Sequence, residues 1–87
     1  LDELKKEAAL LRVLAHPVRL RLLHVLIQSR QCTVTELFHI LEVPKSTISQ
    51  HLTILKSLDV VCSRRKGAEK LYQVHNKTVN RIIQILL

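Results

Sequence analysis

The chain has 87 residues and a mass of 10.0 kDa, with 14 Lys and Arg against seven Asp and Glu, a formal charge of +7 and a pI near 10.0. A single small domain of this length buries only about 60% of its unfolded surface, which argues against a large self-contained catalytic cleft, and the charge imbalance favours a polyanionic partner, nucleic acid or an anionic surface. Apolar residues make up 47% of the chain with one Tyr, one Phe and no Trp, so the core is expected to be Leu, Ile and Val, in larger supply than a compact monomer readily hides.

The N-terminal "LDELKKEAALL" lacks the layout of a signal peptide, and no later apolar run approaches the ~20 residues of a membrane span. A cytoplasmic protein with no membrane part is the expectation. Residues 2–15 put Leu4, Ala8, Leu11 and Ala15 on one helical stripe and Leu10 and Leu14 on a second, so this helix has two faces to bury. Pro17 disfavours helical geometry at His16 and suits the first turn of a new helix, which turns Val18, Leu22, Val25 and Leu26 inward. In "CTVTELFHILEV", Thr33 and Glu36 have the spacing of a capping box, which starts a short third helix burying Leu37, Ile40 and Leu41. After Pro44 a fourth helix runs over 45–58 with Ile48, Leu52, Leu55 and Leu58 inward. The link of about three residues makes 33–58 a tight helix-turn-helix.

From 60 to 74, "VVCSRRKGAEKLYQV" is β-branched at its start and carries the one glycine, Gly67, amid charge. This predicts a hairpin with Tyr72 and Val74 on its core face. "KTVNRIIQILL" closes the chain as an amphipathic helix over 77–87, with Val79, Ile82, Ile83 and Leu86 on one side. The element order predicts one mainly α domain over 1–87 with a small β-hairpin, a winged helix-turn-helix.

With its apolar row buried, the fourth helix exposes Lys45, Ser46, Thr47, Ser49, Gln50 and His51. Ser and Thr are poor helix formers, and simple solvated faces favour Glu, Lys and Arg. No acidic residue lies between Lys45 and Lys56. Short donors and acceptors at a helix start suit the major groove of double-stranded DNA, where Gln can pair bidentately with adenine. Arg64, Arg65, Lys66 and Lys70 surround the hairpin tip, which could straddle a phosphate backbone or enter a minor groove.

At "LAHPVRLRLLHVL", "STISQHLTILKSLDVV" and "RRKGAEKLYQV" the chain resembles the ArsR/SmtB family of bacterial dimeric winged-helix repressors, over essentially its whole length. The resemblance implies operator contacts from Ser46, Thr47, Ser49 and Gln50, a wing at 64–70, and a homodimer built from the helices at 1–15 and 77–87. Many relatives sense metals through a segment of the form Cys-Val-Cys-Asp-Leu. Here it aligns with Thr33 to Leu37, where hydroxyls replace both thiolates. The Asp-x-His start of the family's closing-helix site aligns with Asn76, Lys77 and Thr78. The chain is similar instead to metal-independent members, including virulence-gene regulators of Gram-positive bacteria, and no metal or cofactor is expected.

The apolar excess of the terminal helices assigns Leu4, Leu11, Leu14, Val79, Ile82, Ile83 and Leu86 to a share of core and two-fold interface. The five histidines fall on different elements with no i, i+4 ligand pair. Cys32 and Cys62 are candidates for a redox switch, which needs Cα atoms within ~7 Å; Cys32, at a loop exit, reads as the accessible thiol and Cys62 as a packing residue. The leading function is a homodimeric repressor on an inverted-repeat operator. A winged-helix module for protein interaction or RNA binding is the alternative. No Gly-rich phosphate loop, no nucleophile beside a base and no paired carboxylates point to an enzyme.

Overall fold

The computed structural model describes residues 1–87. A 3-10 turn at Asp2–Leu4 leads into α1 (Lys5–Leu14), α2 (Pro17–Ser29), α3 (Val34–Leu41), α4 (Lys45–Ser57), the antiparallel pair β1 (Val61–Lys66) and β2 (Glu69–Val74), and α5 (Lys77–Leu86). No helix is long and apolar enough to cross a membrane.

The boundaries follow from local chemistry. His16 is extended (φ −150°, ψ 119°), as a residue before proline should be, and its Nδ1 accepts the Val18 N–H at 3.2 Å, so an imidazole caps α2. The capping box closes at α3: the Thr33 N–H donates to Glu36 Oε1 at 2.8 Å and the Glu36 N–H donates to Thr33 Oγ1 at 3.1 Å. The bond from the Thr33 N–H, with a further contribution from the Thr33 side chain, holds the Glu36 carboxyl below the usual carboxylate range, and Lys66 adds to the effect. Glu42 ends α3 in the left-handed region (φ 56°) and Pro44 opens α4. Asn76 caps α5, its Oδ1 accepting the Val79 N–H at 3.0 Å. Gly67 has a φ of +62° at the hairpin tip, with open space where a Cβ would stand. The backbone, not packing, therefore calls for glycine there.

One core joins all the helices. Leu22, Leu23, Val25 and Leu26 of α2 meet Leu14, Leu37, Ile48, Leu52, Leu55, Val60, Val61, Val79 and Ile83. The inward row of α4 is as expected, while Leu23 adds a second buried stripe to α2, which lies between α1, α3, α5 and β2. Two expected core residues are exposed: Ile40 at 46% and Leu58 at 42%. Both sit at or near helix ends, beyond what the neighbouring elements cover. On the hairpin Tyr72 and Val74 pack partly against the core, and Leu71, on the other face of β2, is buried as well.

A third strand stub lies beside the hairpin. The Cys32 N–H donates to the Tyr72 carbonyl at 3.0 Å, and the Tyr72 N–H donates to the Cys32 carbonyl at 2.8 Å. This reverses the expected exposure of the cysteines: Cys32 is buried and Cys62 half-buried. Burial pushes the Cys32 thiol up, and the charge of Glu36 adds to the rise against a hydrogen bond with Ser29. Cys32 pairs with Tyr72, Tyr72 with Ser63, and Cys62 with Gln73. The cysteines are thus two strand spacings apart, about 10 Å, with side chains on opposite faces. A disulfide within this chain is out of reach in this fold.

Candidate nucleic-acid interface

The polar face of α4 forms because its apolar side chains recur with the helical period, which turns Lys45, Ser46, Ser49, Gln50 and Thr53 to solvent and leaves Thr47 half-buried. Pro44 offers no side-chain cap. The first-turn amides of α4 therefore point outward without side-chain partners, whereas α3 and α5 are both capped. Such a terminus suits a phosphate. Lys45 lies over the Phe38 ring, 5.7 Å from its centroid, which places an ammonium beside this opening.

The wing carries Arg64, Arg65, Lys66 and Lys70, all exposed, with Arg65 opposite Lys70 in the register. Glu69, opposite Lys66, is the one acid at the tip. The one ion pair of the chain joins Lys5 to Asp2 at 3.3 Å, so none of the wing cations is tied to a carboxylate. Arg64 Nη2 donates to Gln31 Oε1 at 3.2 Å, which props the wing against the loop before α3. Lys56 Nζ donates to Ser63 Oγ at 2.8 Å and ties the end of α4 to β1. A groove between α4 and the wing is lined by Thr53, Lys56, Ser57 and Lys70 along with Leu52 and Tyr72. Thr53 and Lys56 join the candidate surface here. The period of α4 could have flagged Thr53, but the approach of Lys56 to the wing depends on the hairpin's fold.

His51 departs from the expected face. Its Nδ1 accepts from Arg19 Nε at 3.2 Å and its ring meets His16 edge-on, centroids 4.8 Å apart. Burial, then the charges of His16 and Arg19, hold its pKa below the ordinary imidazole range. The side chain is engaged with the start of α2 rather than free beside Gln50. The fold brings two of the five histidines together, but nowhere do three or more His, Cys, Asp or Glu side chains converge in a way that could hold a metal ion.

A model of the bacterial regulatory proteins of the arsR family matches residues 16–63, from the cap of α2 into β1. The chain belongs to the arsR family. This arsR-family chain is 37% identical over 83 residues to the transcriptional repressor PagR of Bacillus anthracis, covering 95% of the chain and 83% of PagR. The crystal structure of PagR matches it with a TM-score of 0.89 at 36% identity, over 98% of the chain and 97% of PagR. HlyU from Vibrio cholerae matches with a TM-score of 0.87 at 31% identity, over 93% of the chain and 87% of HlyU. The repressor SmtB of Mycobacterium tuberculosis is 43% identical over 74 residues, 85% of the chain but 54% of SmtB, so the chain spans about half the length of that relative. The fold is a winged helix, and the family is one of transcriptional regulators, not enzymes.

Two of the residues that the resemblance sets at metal-ligand positions, Thr33 and Asn76, cap helices here, Thr33 Oγ1 at α3 and Asn76 Oδ1 at α5.

In the terminal helices the expected interface residues divide. Leu14, Val79 and Ile83 are 4%, 0% and 0% exposed and belong to the protomer core. Leu4, Leu11 and Leu86 remain more than half exposed, and Ile82 is half-buried. Ile85 and Leu87 add to this uncovered apolar surface.

Proposed function

We propose that this chain is a homodimeric repressor that reads an inverted-repeat operator with α4 of each protomer and clamps the flanking phosphates with its wings, acting in the cytoplasm and without a metal. The observation that carries the reading is the acid-free face of α4, opened at its N-terminus by Pro44 and set beside a hairpin whose cations have no carboxylate partner. In this arrangement the open amides, Lys45 and Ser46 take the backbone, Ser49 and Gln50 take base edges, and Arg64, Arg65, Lys66 and Lys70 follow the strand beyond. The dimer is supported by Leu4, Leu11 and Leu86, which lie uncovered in the two terminal segments, and by Ile82, half-buried on α5. A two-fold axis relating two copies of α4 implies half-sites about one helical turn apart. A protein-binding or RNA-binding module is not favoured by relatives that are named as repressors.

Footprinting on genomic DNA, followed by competition binding with Gln50→Ala, tests the reading. The expected footprint is an imperfect inverted repeat. The substitution should remove roughly 1–3 kcal/mol of discrimination between operator and random duplex. An unchanged specificity ratio would show that Gln50 does not read bases.

A further inference from the structure

Arg19 is held from two sides. Its Nη1 donates to the Val13 carbonyl at 3.3 Å and its Nε donates to His51 Nδ1 at 3.2 Å. One half-buried guanidinium at the start of α2 thereby grips both the last turn of α1 and the middle of α4. His16 closes the cluster, its ring edge-on to His51 at an interplanar angle of 70° while its Nδ1 caps α2. The charged or titratable groups facing His51 are His16 and Arg19, both from the start of α2. From α1 the cluster receives only the Val13 carbonyl, and no carboxylate pairs with Arg19.

We propose that Arg19 is a positioning residue that couples the dimer helix α1 to the recognition helix α4, and that it seats α4 only while the His51 imidazole is neutral. The inference rests on α4 being the helix that reads DNA. An imidazole nitrogen accepts a hydrogen bond only when it carries no proton. Protonation at Nδ1 converts the acceptor into a donor aimed at the Arg19 N–H, so a charge-assisted bond becomes an opposition of two cations beside a third ring.

The sign follows from the environment of His51. Its pKa in the fold lies below the unfolded value, so the seated state favours the neutral ring. The coupling is complete above the ordinary imidazole value of about 6.5 and is lost as pH falls from there through the lowered one. This runs against the general trend for phosphate binding, in which positive charge gained on acidification tightens the complex.

The test uses the whole chain and a fluorescent duplex carrying the footprinted operator, titrated at pH 7.5 and 5.5 at constant ionic strength. Wild type should lose affinity at the lower pH by a factor of up to about ten, the ceiling for one group that titrates below about 6.5. His51→Asn, whose Oδ1 stands in for Nδ1 but gains no proton, should hold or tighten its binding. Arg19→Met should bind weakly at both values without the pH step; if it does not fold, the His51→Asn profile decides alone. Nitrogen-15 spectra of the DNA-free protein should show His51 Nδ1 unprotonated at pH 7.5. Protonated Nδ1 at that pH, or identical pH profiles for wild type and His51→Asn, would overturn the coupling. A failure of the α4 reading shows separately, as unaltered specificity in Gln50→Ala, and sinks the proposal by removing its premise.

Discussion

Leu11→Glu separates the fold of one protomer from the assembly of two. Leu11 is 56% exposed in the single chain, so more than half of its side chain has nothing to bury against until a partner arrives. Full burial of a leucine contributes about 1.5–3 kcal/mol, which leaves about 0.8–1.7 kcal/mol to be realised at the interface by each copy. The two-fold axis counts it twice. Losing both contacts raises the dimer dissociation constant by about 1.7–3.4 kcal/mol, roughly 20- to 300-fold, before the cost of burying two carboxylates is added. Sedimentation velocity across a micromolar concentration series reads this directly, with circular dichroism to show that the monomer keeps its helices. Ile83→Ala is the contrast: at 0% exposure it should cost about 2–5 kcal/mol of protomer stability. A wild type that sediments as a monomer at micromolar concentration while binding a single half-site tightly would refute the reasoning, as would a Leu11→Glu chain that dimerises like wild type.

Arg65→Ala should weaken operator and random DNA alike and reduce the slope of log affinity against log salt by about one, measured by anisotropy from low to moderate salt. Stoichiometric zinc, cadmium or arsenite should leave the DNA complex intact; release at micromolar metal that disappears in a His or Cys variant would contradict this. Thr33→Ala should lower the stability of the chain by about 1 kcal/mol through loss of the α3 cap, seen as a lower midpoint in urea without a change of slope. The depressed Glu36 carboxyl gives the other half of the capping box a pH sense: the contribution of its bond from the Thr33 N–H is present above the ordinary carboxylate range and fades as pH falls through and below it, so Glu36→Ala and wild type should converge in acid.

What could be read from the residues alone was whatever short-range chemistry decides. Pro17, the Thr33 and Glu36 pair, Pro44 and Gly67 punctuate the chain through backbone restrictions that act over one to four residues, and the order of elements followed from them. The polar side of α4 was equally legible, since the spacing of Ile48, Leu52 and Leu55 fixes what is left outside. Errors arose where a neighbour distant in sequence decides. Periodicity placed Ile40 and Leu58 inside, but it does not reveal where the covering element ends. Cys32 looked like a loop thiol until Tyr72 paired with it. The assignment of His51 to the exposed face failed for the same reason: Arg19 lies 32 positions earlier, and no local pattern announces that the two side chains meet.

The capping of α3 has a consequence for anyone wishing to give this protein a metal response. Thr33 occupies a position that the family resemblance associates with a thiolate ligand, yet here its hydroxyl completes the hydrogen bonding of a helix end. Installing Cys at 33 and 35 would remove that hydroxyl, so the first turn of α3 would fray until an ion drew the chain together. Metal uptake would then be spent partly on folding the helix rather than wholly on moving it, and the response would be that of an ordering transition, graded by the stability of α3. Sensitivity in such a variant would be tuned from the helix, through residues that never touch the ion.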